Sequence, residues 1–131
     1  MFEKSRVVRH GPPGWPQEVP PPDAQDVEDW RVDAVAWLLD QAPPEYRTYP
    51  AARHQPVLLV WLVKHHVAAQ RDAVRRATST ARRDLAHRLS PEAAPGVFDV
   101  LEREDLRLRR VARAVDLLDQ ALDGTKFVPR L

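Results

Sequence analysis

Arginine is the residue that most invites a chemical reading here. Arg71, Arg75 and Arg82, with Arg76 and Arg83 beside them, recur at helical spacing. Arginines so placed can track the phosphates of a nucleic acid. Asp72 and Asp84 interrupt the same stretch, and no aromatic residue is interleaved to stack on bases. A net charge of +1 supplies no long-range field toward a polyanion. A solvated, pair-forming face is the stronger expectation, and nucleic-acid association through these five arginines is the alternative.

The other chemistry-bearing residues are sparse. His65 and His66 are adjacent, and successive helical residues point ~100° apart, so both cannot easily serve one ion. No His-x-x-x-His or Glu-x-x-His spacing accompanies them. The expectation is one histidine at a helix seam and one at the surface, with no metal and no cofactor. There is no cysteine, which removes thiol catalysis and thiolate sites. Thr78-Ser79-Thr80 reads as a small-residue patch near a helix crossing. The four glycines lie apart, so no phosphate-cradling loop forms. Carboxylate pairs such as Asp29 and Asp33 have the spacing of solvated helix faces. No catalytic residue is identified, and an enzyme is not expected.

These residues must be carried by a few long elements. The stretch from Pro56 to Leu89 begins with the apolar run Val57-Leu58-Leu59-Val60-Trp61-Leu62-Val63 and contains no later Gly or Pro. Val60, Val63, Val67, Val74, Ala77, Ala81, Leu85 and Leu89 follow a helical period. Pro56 suits a first helical turn, where its missing N–H has no partner to lose. The pattern predicts one helix over 57–89, roughly 50 Å long at ~1.5 Å per residue. Its first two turns are apolar on every side and should be covered on every side. The run is far shorter than the ~20 residues a bilayer needs.

Two shorter helices are expected, over 26–42 and 95–123. In the first, Asp23 or Asp26 can cap the start, and Val27, Trp30, Ala34, Trp37, Leu38 and Gln41 trace one side. Pro43-Pro44 stops it. Residues 43–55 form a connector with one helical turn near Glu45–Tyr49. Ser90-Pro91-Glu92 is a restart signal, and Gly124 suits the end of the last helix. The last helix's seam is Val97, Leu101, Leu108, Val111, Val115, Leu118 and Leu122. Residues 1–22 hold six prolines and form an extended arm, with Trp15 filling a gap on the bundle. Residues 125–131 are a short tail carrying Phe127.

The fold class expected is therefore all-α. A long antiparallel hairpin dominates a three-helix arrangement, and its tip, around residues 80–100, projects with two helices only. Expected layers pair Val60 with Leu122, Val63 with Leu118, Val67 with Val115, Val74 with Leu108, and Ala81 with Leu101. Arginines of the long helix should face Glu92, Asp99, Glu102, Glu104 and Asp105 across the seam. Exposed pairs Asp99–Arg103 and Asp105–Arg109 have a favourable acid-first order.

Composition bounds the rest. At 131 residues and 44% apolar content the chain can bury one modest core. Ile and Asn are absent and lysine is confined to three positions, which points to a bacterial gene of high GC content. Arginine abundance then partly reflects codon bias. The N-terminus lacks a secretory signal pattern, and a cytoplasmic location is the default expectation. Together these readings describe a non-enzymatic helical adaptor or structural subunit. It would act through protein–protein contacts with itself or another chain, with Trp15, Trp61 and Phe127 as candidate contact residues.

Overall fold

The computed structural model describes residues 11–22 and 27–124, the first three residues of the first helix by backbone alone. The candidate caps Asp23 and Asp26, the first ten residues, and the tail with Phe127 lie outside the described residues. Four helices follow in order: α1 (Val27–Asp40), α2 (Pro50–His54), α3 (Pro56–Leu85) and α4 (Ala94–Leu122). No strand occurs among the described residues, and no helix there is long and apolar enough to cross a membrane.

The core has one centre. Trp30, Leu38, Leu59, Val60, Val63, Val67, Leu108, Val115 and Leu118 are fully buried in a single cluster, with Trp37, Val74, Val111 and Leu122 packed against it. Each buried branched or aromatic side chain there contributes about 1.5–3 kcal/mol relative to exposure. Two contacts fix how α3 and α4 run. Lys64 Nζ lies 2.8 Å from Asp119 Oδ2, and the Arg82 guanidinium sits 5.0 Å from the Phe98 ring centre. The start of α3 thus meets the end of α4, and the end of α3 meets its start.

Several boundaries differ from expectation. α3 stops at Leu85, one turn before Leu89. Pro91 holds Ser90 extended (φ −68°, ψ 154°), and the chain must reverse within a few residues. The last turn therefore loosens early, with Arg88 N and Leu89 N both reaching the Leu85 carbonyl. The connector holds two helical pieces rather than one, a 3₁₀ turn over Pro44–Thr48 and then α2. Pro44, Pro50 and Pro56 each open a new piece, because proline fits the first turn of a helix and ends the one before.

Two larger expectations fail. The apolar run is not covered all round: Val57 is 63% and Trp61 55% exposed. Nor do the arginines of α3 bridge to the acids at the start of α4. Arg75 and Arg76 pair with Asp72, and Arg83 with Asp84. Asp99, Glu104 and Asp105 pair with Arg103, Arg107 and Arg109 of their own helix. Partners one turn away on the same helix are already in reach, whereas a cross-seam pair must extend two long side chains. Among the described residues Lys64 alone crosses, to Asp116 and Asp119, at the opposite end of the hairpin.

The proline-rich arm packs on the bundle. Trp15 Nε1 donates to the Val19 carbonyl at 2.8 Å, its ring lies 6.1 Å from Trp30, and Val19 and Pro16 are buried. Gly14 makes this possible. Its φ of +97° is strained for any other residue, and a Cβ there would sit 2.6 Å from Arg113 Cγ on α4. Gly14→Ala should therefore cost about 1–3 kcal/mol, read as a lowered midpoint in thermal unfolding. An unchanged midpoint would mean the arm contributes nothing to stability.

Candidate functional site

α3 places its residues on two sides with different fates. Residues two apart on a helix point ~200° from each other. His66 faces the connector, 6.4 Å from Tyr46 and half-buried. Lys64 therefore faces the other way, beyond the reach of the connector. Val57, Trp61, Lys64 and Ala68 fall on that outward side, spaced four, three and four apart, and all are exposed. His65 stacks its ring edge-on against Trp61 at 4.8 Å, which leaves the indole as a braced, outward-facing plate.

Charge borders this plate. Lys64 Nζ donates to Asp119 Oδ2 at 2.8 Å and lies 3.2 Å from Asp116 Oδ1. Hydrogen bonds to these two carboxylates, Asp119 first, raise the Lys64 pKa above its ordinary value, against a smaller lowering by desolvation. Next along the seam is an open cleft of about 250 Å³, lined by Val67, Ala68, Arg71, Ala112 and Val115. Arg71 is half-buried there, and its Nε has no hydrogen-bond acceptor among the described residues. At the hairpin tip lies a second open groove of about 300 Å³, walled by Ala81, Leu85, Leu89, Ala94 and Val97, with Arg82 lying over Phe98 at its edge.

The five candidate arginines thus divide between two faces of α3, with Arg71, Arg75 and Arg82 in line with Trp61 and Lys64, and Arg76 and Arg83 turned ~100° away. Arg71 and Arg82 border the α3–α4 seam, while Arg75, Arg76 and Arg83 are exposed and paired along α3 itself. Asp84 titrates below its ordinary value through the Thr80 hydroxyl and then Arg83. The hydroxyls of Thr78, Ser79 and Thr80 bond backward to backbone carbonyls of Val74 and Arg76. Among the described residues no three His, Asp or Glu side chains converge as metal donors. Of the three candidate contact residues, Trp15 packs against the bundle's own core, Trp61 is placed outward, and Phe127 lies outside the described residues. The tip groove lies where the sequence predicts that the hairpin projects with two helices only; sequence reasoning missed the exposure of Val57, Val32 and Val100. Their signal was present: each is an apolar residue that falls off its helix's seam.

The charged pairs here are shallow, and one sets a sign for pH dependence. Arg107 donates twice to Glu104, at 2.6 and 3.1 Å, and holds its carboxyl below the ordinary 4.5. The folded state then binds that proton more weakly than the unfolded chain. The pair's contribution is present above about pH 4.5 and is lost as pH falls through the lower folded value. Both side chains are partly exposed, so the effect is below about 1 kcal/mol. Urea unfolding between pH 7 and pH 3 should lose slightly less stability in Glu104→Gln than in the unaltered protein; an equal loss rejects the pairing.

No family model, no curated protein and no solved structure matches this chain.

Proposed function

We propose that this protein is a non-enzymatic helical subunit that works by binding another protein surface through the outward side of α3. The observation that carries this reading is Trp61, 55% exposed on the same turns of α3 whose other side, Leu59, Val60, Val63 and Val67, is fully buried. Tryptophan is among the residues that most often anchor protein interfaces, because it buries a large area while losing little side-chain freedom. Here Val57 extends the apolar area by one turn, and Lys64 with its two aspartates gives it a polar rim, as expected of an interface core and edge. The residues that hold Trp61 outward are on a rigid helix, so the surface is preorganised.

Nucleic-acid association through Arg71, Arg75, Arg76, Arg82 and Arg83 is the weaker reading. Three of the five already have carboxylate partners on α3, and one covers an aromatic ring.

A photocrosslinking side chain in place of Trp61 tests the proposal. Irradiation in the native host should give a discrete adduct, and Val57→Lys in the same chain should abolish it while leaving the circular dichroism and melting midpoint unchanged. No adduct, or an adduct indifferent to Val57→Lys, removes the reading.

A further inference from the structure

The surface containing Trp61 continues along the whole hairpin as two rows. On α3, positions 57, 61, 64, 68, 71, 75, 78 and 82 alternate steps of four and three. They hold Val57, Trp61, Lys64, Ala68, Arg71, Arg75, Thr78 and Arg82, which is four cations and no acid. On α4, positions 98, 102, 105, 109, 112, 116, 119 and 123 repeat the same steps. They hold Phe98, Glu102, Asp105, Arg109, Ala112, Asp116, Asp119 and Asp123, which is five acids and one cation. Steps of four and three keep residues on one helix face, the pattern of a packed helical seam. The Lys64–Asp116 and Arg82–Phe98 contacts put the two rows on the same side of the hairpin, at its two ends. Both surface grooves open onto that side.

The rows do not satisfy each other within one molecule. Lys64 is the one cation that crosses between them among the described residues. Arg71, Arg82 and Glu102 are in no ion pair there. Arg71 Nε also lacks an acceptor. A face with one basic edge and one acidic edge is complementary to itself when turned by a two-fold axis parallel to the helices. That operation, unlike an antiparallel one, sets α3 of one copy against α4 of the other along the full length.

We infer that the occupant of this face is a second copy of the chain, paired side by side with both hairpin tips pointing the same way. Trp61, Val57 and Phe98 supply the buried apolar contacts, and the charged rows set orientation, since each exposed pair is worth only ~0–1 kcal/mol. The size is adequate. Two helices about 45 Å long at ~1.5 Å per residue present roughly 800 Å², the share per partner of a standard stable interface. The inference rests on the outward side of α3 being a docking surface, and it names what docks there.

Light scattering behind size exclusion on the full chain should give a mass twice 15.0 kDa, weakening at high salt. Arg75→Glu with Arg82→Glu makes both edges acidic in the tip half of the face; Glu102→Lys with Asp105→Lys makes both basic there. Each double variant should self-associate at least tenfold more weakly, and an equimolar mixture of the two should recover dimer. Because the chain has no cysteine, Ala86→Cys gives one spin-label site at the tip. The labels should lie about 20 Å apart in the parallel arrangement and about 45 Å or more in an antiparallel one, the length of α3 at ~1.5 Å per residue. A monomer at every concentration, variants that dimerise normally, a mixture that fails to recover, or the long label distance each overturns the pairing. A monomeric chain whose position-61 cross-link joins a different protein would reject the second copy and leave the docking reading intact.

Discussion

Everything in this structure follows from covering the first half of α3 from one direction. Leu59, Val60, Val63 and Val67 must be buried, and the chain that precedes α3 can reach only the side on which it arrives. α1, the 3₁₀ turn, α2 and the arm therefore crowd together there, with Trp30 and Trp15 filling the space between them. α4 closes a second side through Leu108, Val115 and Leu118. Nothing in the described chain remains to cover the third side. The exposure of Val57 and Trp61 is then a consequence of topology, since a helix apolar all round has been given neighbours on part of its circumference.

The same limit acts along the hairpin. α1 has 14 residues and spans roughly 21 Å at ~1.5 Å per residue, under half the length of α3. Beyond it the two long helices have only each other. On α3 burial there thins to the half-buried Val74 and to Ala81, the one buried residue past Val67. Small residues let the helices approach closely and keep a seam without a third wall. They also leave Val100 64% exposed and the tip groove open. Stability is thus graded from a dense end to a thin one, as expected where local burial sets the free energy of local opening.

Element type was legible in the residues because helical periodicity and proline are local signals. Pro56, Pro91 and the 3.6-residue rhythm of the valines and leucines located α3 and α4, the start of α4 to within one residue. The early end of α3 at Leu85 was not legible, because nothing in Ala86-His87-Arg88-Leu89 breaks a helix. The turn is imposed by the need to bring α4 back alongside. Charge was misread for a related reason. Sequence signs show which helices attract, whereas pairing is decided by reach, and Asp72, Asp84 and Arg103 were nearer to their own neighbours than to the opposite helix. The site was half legible. The length of the apolar run said that cover was needed, but only the arrangement of α1 and the arm reveals which residues of the run go without it.

A high arginine content does not by itself explain where the charges stand. A bias toward arginine acts on every helix alike, and α4 carries Arg103, Arg107, Arg109, Arg110 and Arg113. Four of these five fall outside the row that α4 shares with Asp105, Asp116 and Asp119. On α3 the distribution is reversed: Lys64, Arg71, Arg75 and Arg82 stand in the corresponding row, and Asp72 and Asp84 stand outside it. Intrahelical pairing alone would be met equally well by acids and bases at any positions three or four apart. It gives no reason to keep one row free of acids and the facing row nearly free of bases. Separating the signs by helix, along the side that no other part of the described chain covers, is what a surface complementary to its own copy requires.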